Sequence, residues 1–410
     1  MGKNNSELTL KRQSRLNKVD NHEKAIVKFK YQPEDFIVEE REKEGFCKIS
    51  ESNKVFENAR IDFGKLDTRD RRIFLACELE KFDIDHMSAI DILCKELRMS
   101  AHEIGHAGTK DKRAWTCQRV TLYNPDIELV RNFSHQGIIL KNFKWAKHKL
   151  QIGSLEGNHF RLTLRDAGKD ALKLLEKVRR TQYVPNAFGQ QRFGSLRKDN
   201  VAIGKLIYKK RFDDAVFALL TGYGEEESDE VKKTKRRLKL EKNIFQAKEY
   251  FPSSLIMENK ILNYLVRFPK DWIGALKTLD EKTLLLMCQS VQSKIFNDIL
   301  ERVSEARLDS QHLEIILPGT MSKFSEGKLG RIESEVMQDH VLTFEDFYVP
   351  ELALLTLKGS KRKAFSPVKN LDVRIEEDDL FPLSKKIMLE FELDSGTYAT
   401  TFLEQFFELR

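Results

Sequence analysis

The sequence predicts an α+β protein: a mixed, mostly antiparallel sheet flanked by helices, interrupted by a mainly helical α/β insertion. Three observations predict it. Apolar residues alternate along short segments between residues 25 and 165 and again over 386–393, the mark of strands at both ends of the chain. The stretch between them carries apolar residues at helical spacing instead. Strand–helix–strand order occurs only around 72–123, so most neighbouring strands are expected to pair antiparallel. The length of 410 residues suits two domains or one elaborated domain. The expected divisions are a basic, disordered arm over 1–23, a sheet domain over 24–190 and 361–410, and an insertion over 191–360.

Residues 25–40 alternate on either side of Pro33-Glu34-Asp35, which reads as strand, turn, strand. The apolar run Ile73-Phe-Leu-Ala-Cys77 marks another strand over 72–82. Asp85 can cap a helix to Leu97, whose Ala89, Ile90, Leu93 and Leu97 share one face. Ser100 and Glu103 form a capping box for one short turn that Gly105 cuts off. A loop follows, then a strand over 116–123, two or three strands within 137–165, and a helix over 168–181. Further helices are predicted at 213–221, 231–250, 258–266, 271–277 and 281–307. Near the end, Lys386 to Leu393 alternates, Asp394-Ser-Gly396 turns, and 400–409 reads as a closing helix.

Composition narrows the function classes. Lys plus Arg number 71 against 64 Asp plus Glu, a net charge of +7 that is compatible with a polyanionic partner and equally with a well-solvated surface. No stretch approaches the ~18 unbroken apolar residues of a membrane span. The first residues are polar and lack a signal-peptide core, so a cytoplasmic chain is expected. The Met1-Gly2 start with Ser6 matches a myristoylation pattern only superficially, because Lys11 to Lys18 read as a basic tail. Cys47, Cys77, Cys94, Cys117 and Cys288 are odd in number and never spaced Cys-x-x-Cys, which points to reduced thiols rather than disulfides or a zinc ribbon. His102 and His106 could share a helix face, but Gly105, Gly108 and Thr109 break any helix there, and no metal site is expected.

The segment that carries chemistry is Gly105-His-Ala-Gly-Thr-Lys-Asp-Lys-Arg-Ala114. Asp111 sits among Lys110, Lys112 and Arg113, cations that favour an ionised carboxylate. Such a group is a poor general acid and a suitable nucleophile or hydrogen-bond acceptor. The same three cations could grip phosphates. The alternative reading of these residues is an exposed turn with surface ion pairs. A phosphate-binding P-loop is excluded, since no pair of glycines brackets four residues before Lys-Ser or Lys-Thr.

This loop resembles the signature of the TruD family of pseudouridine synthases, and other blocks match the family in order. They are Lys30-Tyr-Gln-Pro-Glu-Asp-Phe-Ile-Val-Glu-Glu40, Gly153-Ser-Leu-Glu-Gly-Asn-His-Phe-Arg-Leu-Thr-Leu-Arg165, Val184-Pro-Asn-Ala-Phe-Gly-Gln-Gln-Arg-Phe-Gly194 and Ser395-Gly-Thr-Tyr-Ala-Thr400. Gln292-Ser-Lys-Ile-Phe-Asn297 and Leu317-Pro-Gly319 fit weaker motifs of the family insertion. The resemblance implies a pseudouridine synthase catalytic domain acting on tRNA, with uridine 13 as the common target and other structured RNA open. It implies Asp111 as the catalytic residue, with neither cofactor nor metal. It places Phe36, Phe160 and Tyr398 as rings that stack on the flipped base, although many members carry Phe where this chain has Tyr398. Asn158, two residues before Phe160 and so on the same strand face, offers a donor and an acceptor to the uracil edge or a sugar hydroxyl. Lys30 matches a family lysine that either contacts phosphate or pairs with Asp111. Arg192 either binds phosphate or pairs with an acid.

Acid-rich 225–230 followed by basic 232–237 fits a solvated helix start, with an RNA-backbone contact as the alternative for the basic half. A monomer without protein partners is expected. A chain that binds tRNA as a non-catalytic chaperone on the same scaffold is the competing reading.

Overall fold

The computed structural model describes residues 23–43, 45–57, 63, 66, 72–194, 197, 199–308 and 312–410, so the expected basic arm lies outside the described residues except for Glu23. The chain divides into two compact units, with boundaries after Val184 and after Phe365. Residues 23–184 and 366–410 form one unit, built on the sheet, and Pro185–Phe365 form the other.

In chain order the strands are β1 (Ala25–Val27), β2 (Phe36–Glu42), β3 (Gly45–Phe46), β4 (Phe74–Phe82), β5 (Ile104–His106), β6 (Trp115–Tyr123), β7 (Ile138–Ala146) and β8 (Gly157–Ala167). They continue with β9 (Tyr183–Pro185), β10 (Glu314–Leu317), β11 (Ser360–Lys363), β12 (Phe365–Glu377), β13 (Lys385–Asp394) and β14 (Phe407–Leu409). One sheet runs β7–β4–β6–β2–β8–β13–β12–β9, with β3 added to β2 and β5 to β6. The pairs β7–β4, β4–β6, β2–β8, β8–β13 and β13–β12 are antiparallel, whereas β2 and β6 run parallel. The mixed, mostly antiparallel sheet flanked by helices is therefore the one expected.

Side chains of directly paired residues share a face, so the registers sort the sheet. One face carries Leu75, Cys77, Leu79 and Lys81 of β4, and Thr116, Gln118, Val120 and Leu122 of β6. It continues through Phe36, Val38 and Glu40 of β2 to Asn158, Phe160 and Leu162 of β8 and Leu393, Phe391 and Leu389 of β13. Two separate apolar clusters cover this face. One gathers Leu75, Leu79, Val120 and Leu122 under the helix His86–Glu96. The other gathers Val38, Leu162, Leu389 and Phe391 with Leu174, Val178 and Phe402. Between them runs a polar seam: Lys81, Thr116, Gln118, Glu40 and Asn158.

The flanking helices form for the expected reasons. Asp85 caps His86–Glu96 by accepting from the Ser88 amide at 3.0 Å, and Ala89, Ile90 and Leu93 are its buried stripe. Ser100 and Glu103 close their capping box around a single 3₁₀ turn that ends where β5 begins. Gly105 is needed for close approach rather than flexibility. A Cβ there would lie 2.4 Å from Thr121 Oγ1 and 2.8 Å from the Leu150 carbonyl.

The closing helix is shorter than expected. It spans Ala399–Leu403, and β14 then adds parallel to β1, with Ala25 opposite Phe407 and Val27 opposite Leu409. The helical stripe Phe402, Leu403, Phe406 gives way to alternation at Phe407 and Leu409, and β1 supplies unpaired backbone groups.

In the second unit the long helix Glu281–Glu305 buries Leu284, Cys288, Val291, Ile295, Ile299 and Val303 at helical spacing. The predicted helix over 231–250 is two helices, Asp229–Glu241 and Ile244–Tyr250. Lys242 turns left-handed at φ 51°, and Asn243 caps the second by accepting from the Gln246 amide at 3.1 Å. The helices Asn200–Tyr208 and Gly327–Asp339 and the hairpin-like pair β10–β11 were not anticipated. Asn200–Tyr208 is apolar on most sides and packs on the long helix through Gly204, where a Cβ would meet the Met287 carbonyl at 2.4 Å. The basic run of Asp229–Glu241 is engaged internally: Lys235 is wholly buried against Glu227 (3.1 Å) and Glu258 (3.0 Å), and Arg237 pairs with Glu241 at 2.7 Å. Among the described residues no helix is long and apolar enough to cross a membrane.

Candidate active site

The parallel pairing of β2 with β6 places the loops that enter these two strands at the same end of the sheet, and antiparallel β4 leaves there too. This end brings together residues some eighty positions apart. Lys30, in the loop before β2, places Nζ 3.2 Å from Oδ1 of Asp111, in the loop before β6. The Asp111 side chain remains 40% exposed, so it is held by one cation and open to an incoming group. Lys30 adopts a left-handed backbone, φ 51°, as Lys210, Lys242 and Lys270 also do. Its strand neighbour Lys28 bridges Arg165, and the Phe29 amide donates to the Arg410 carbonyl at 2.8 Å. Arg165 in turn grips both oxygens of Asp35 at 2.9 Å, fixing the turn that leads into β2.

The Asp111 loop is braced residue by residue. Gln118 Nε2 donates to the Gly108 carbonyl at 3.0 Å. Lys110 Nζ lies 2.8 Å from Glu40 Oε2, an almost fully buried pair. Lys81 Nζ donates to the Asp111 carbonyl, and the Asp83 amide to the Ala114 carbonyl at 3.1 Å. Arg113 Nη2 donates to the Tyr31 carbonyl, which ties this loop to the one carrying Lys30.

Of the cations expected to grip phosphate, Lys112 and Arg113 are exposed, whereas Lys110 is not. Lys110 spends its charge on Glu40 inside the seam, which corrects its expected RNA-backbone role. A lysine in a basic loop reads as exposed until its partner on a neighbouring strand is known.

The aromatic residues are more covered than a stacking platform requires. Phe36 is 2% and Phe160 5% exposed, with ring centroids 6.3 Å apart, and Phe160 stacks on Phe391 at 5.4 Å. Lys30 Nζ lies 3.9 Å from the Phe36 centroid, so one ammonium bridges the carboxylate and the ring. Tyr398 stands apart, 43% exposed at the start of the helix Ala399–Leu403. Asn158 lies level with Glu40 across the β2–β8 pair, and its Oδ1 is buried without a partner among the described residues.

That orphaned atom has company in the seam. Thr116 Oγ1 is also buried without a partner among the described residues, while the His86 ring and the Gln118 side chain face each other. His86 packs edge-on to His106 at 4.6 Å, and burial, followed by His106 and Lys81, pushes its imidazole down to about 4. Buried polar atoms of this kind can be completed by bound water or by a ligand. Glu40, Lys81 and Gln118 escaped the sequence reading, because single polar residues in alternating strands look like solvent-facing positions.

Arg192 belongs to the second unit. Its guanidinium donates to Gln289 Oε1 at 2.8 Å and Ser293 Oγ at 3.3 Å, both on the long helix, and packs near Phe188. Asn297 accepts from the Phe188 amide at 2.8 Å and donates to its carbonyl at 2.9 Å, so the block 184–194 is fastened to the same helix.

Comparison with known proteins places the whole chain. The profile of the family described as tRNA pseudouridine synthase D (TruD) matches residues 19–314 and 308–406. A relative from Methanopyrus kandleri, named "Probable tRNA pseudouridine synthase D", is 33% identical over 340 residues, covering 80% of this chain and 84% of the relative. One of the same name from Methanococcoides burtonii is 28% identical over 404 residues, covering 85% and 91%. A crystal structure described as that of a TruD protein from Methanosarcina mazei superposes with a TM-score of 0.75 at 25% identity, covering 94% of each chain.

Proposed function

The chain belongs to the tRNA pseudouridine synthase D (TruD) family, and from that premise we propose that it is an isomerase converting uridine to pseudouridine in tRNA, with Asp111 as the catalytic residue. The observation that carries the reading is the Asp111 carboxylate, open to solvent on one side and paired with Lys30 at 3.2 Å on the other. The substrate we propose is uridine 13, the simplest choice for this family, in the tRNA of the cytoplasm.

The reaction breaks the bond between ribose C1′ and uracil N1 and forms one between C1′ and C5. N1 gains a proton and C5 loses one, so the change is redox-neutral and balanced without an electron carrier. An ionised Asp111 can start it either by adding to C1′ or by removing the C2′ proton; both roles need the negative charge that Lys30 stabilises. Lys30 also covers Phe36, so a uracil that stacks on this ring must first shift the ammonium. Unstacking the base costs a few kcal/mol, and each aromatic contact returns roughly 1–3 kcal/mol. The orphaned Oδ1 of Asn158 is suited to accept from a uracil N–H or a ribose hydroxyl. Exposed Lys112 and Arg113 are the cations we assign to the RNA backbone.

The test is tritium release from tRNA labelled at uridine C5. Wild type should release label stoichiometrically with pseudouridine, and Asp111→Asn should lose at least about a thousandfold in rate, ~4 kcal/mol of barrier. Turnover unchanged in Asp111→Asn would sink the assignment. Wild-type binding of tRNA with no pseudouridine formed would favour the chaperone reading.

A further inference from the structure

Among the described residues two lysines, Lys81 and Lys235, are wholly buried, at 0% exposure. They are compensated in different ways. Lys235 faces two carboxylates, Glu227 and Glu258. Lys81, the penultimate residue of β4, has no carboxylate bonded to it among the described residues. Its Nζ donates to two backbone carbonyls, that of Ile84 at 2.8 Å and that of Asp111. A buried charge without an anion is costly, and an apolar residue would fill the same strand position on a face that holds Leu75, Cys77 and Leu79. The charge is therefore retained at a cost, and the group it holds is the main chain of Asp111 itself.

We infer that Lys81 is a positioning residue for Asp111, fixing the loop backbone at its carbonyl while Lys30 engages the carboxylate. The inference rests on the reading of Asp111 as the reacting group. Two cations then act on one residue at different atoms. Lys30, partly exposed, can move aside for the uridine; Lys81, enclosed between β4, β6 and the chain leading into His86–Glu96, cannot. A displacement of about 1 Å at a reacting atom can cost about a hundredfold in rate, which sets the scale of the contribution.

The charges around Lys81 are Asp111 and Asp85, which favour its ammonium, and Lys110 and Lys30, which oppose it; the neighbouring His86, held down to about 4, is neutral there. Burial dominates and pushes the lysine down to about 8. The ammonium beneath Asp111 is thus lost within the range where the enzyme can be assayed. The neutral amine keeps two N–H donors but no longer adds positive charge at the loop.

The experiment measures kcat, KM, tRNA affinity and melting temperature for wild type, Lys81→Met, Lys81→Arg and Asp111→Asn, from about pH 6.5 to about pH 9.5. In Lys81→Met, kcat should fall about a hundredfold with KM and tRNA affinity within about threefold of wild type. Wild-type kcat should decline above about pH 8, and that decline should be absent in Lys81→Met and displaced upward in Lys81→Arg, whose charge persists. Unchanged kcat in Lys81→Met, or an equal loss in tRNA affinity, overturns the inference. So does the same alkaline decline in every variant. Should Lys81→Met fail to fold, the wild-type and Lys81→Arg profiles decide alone: coincident profiles refute it. Asp111→Asn separates the two levels. If it still turns over, the underlying reading fails; if it is inactive while Lys81→Met is normal, only the positioning role fails.

Discussion

On one face of the sheet Glu39 is tied to His159, Glu78 to Arg119 and Glu80 to Lys141; on the other, Thr116 and Asn158 each keep a buried polar atom with no partner among the described residues. Glu80 shows how complete the first arrangement is. Its oxygens accept from Trp115 Nε1 (2.7 Å), the Ser50 amide (2.9 Å), Ser50 Oγ (2.8 Å) and Lys141. Arg41 and Arg161 leave Nε unmatched there, but both spend other guanidinium N–H groups on carboxylates. Saturated networks rigidify, and unsaturated ones are costly unless a ligand completes them. The same strands therefore carry a scaffold on one side and a receptive seam on the other. Substitutions on the two sides should separate stability from turnover.

The largest expected effect lies at the seam's open end. Lys30→Met removes the cation that pairs with Asp111 and caps Phe36. We expect kcat to fall about a thousandfold, ~4 kcal/mol of barrier, with the melting temperature almost unchanged. A loss of stability as large as the loss of rate would show that the two faces are not divided in this way. Next comes Glu80→Ala on the saturated face. It strands the buried Trp115 indole N–H and leaves the partly exposed Lys141 unpaired, and should cost about 2 kcal/mol in urea-unfolding free energy. The activity of the fraction still folded should stay near wild type; a specific loss of kcat at full occupancy of the folded state would break the contrast from the other side.

How much of this was legible in the sequence follows from how local each feature is. Asp111 was visible because its loop is a contiguous motif, and the Asp85 and Ser100 caps because they act within four residues. The pairing of Lys30 with Asp111 could only be stated as one of two options, since it depends on β2 and β6 lying side by side in parallel. Lys110 was misread for the same reason: its partner, Glu40, comes from β2. Lys81 was invisible, because a lysine ending a strand ordinarily reaches solvent and nothing in β4 shows that the Asp111 loop closes over it. The closing helix was overextended because the apolar run through Phe406 and Phe407 fits both periods until β1 is there to pair with. In the second unit Asn200–Tyr208 lacked the polar face that would have announced it.

An effect of about the same size tests the orphaned atoms. Asn158→Ala removes Oδ1 from the seam and, with it, an atom that has no partner in the folded chain. Stability should hold or rise slightly, because nothing bonded to Oδ1 is lost. The rate with tRNA should fall about thirtyfold, ~2 kcal/mol, if Oδ1 meets uracil or ribose. Destabilisation without a rate defect would make Asn158 a scaffold residue and move the seam's boundary.

The smallest effect is a pH dependence on the saturated face. His159 donates one ring N–H towards Glu39 (2.9 Å) and faces Glu390 with the other nitrogen (3.1 Å). The Glu39 hydrogen bond, working against burial, raises the imidazole above its ordinary value. Burial alone would raise the Glu39 carboxyl, but the His159 bond, the Ile49 amide and Arg161 outweigh it and hold that group low. Both shifts describe one ion pair. Because the folded-state value of His159 lies above the unfolded ~6.5, its contribution is full below that pH and is lost as pH rises through the folded value. Glu390 is partly exposed and screened, so the total should stay below about 1 kcal/mol. Urea unfolding at about pH 6 and about pH 8.5 should show wild type losing this increment and His159→Gln losing none of it. Equal slopes in the two proteins would mean that the imidazole is neutral throughout, and that the saturated face is held by its Arg–Glu and Lys–Glu pairs alone.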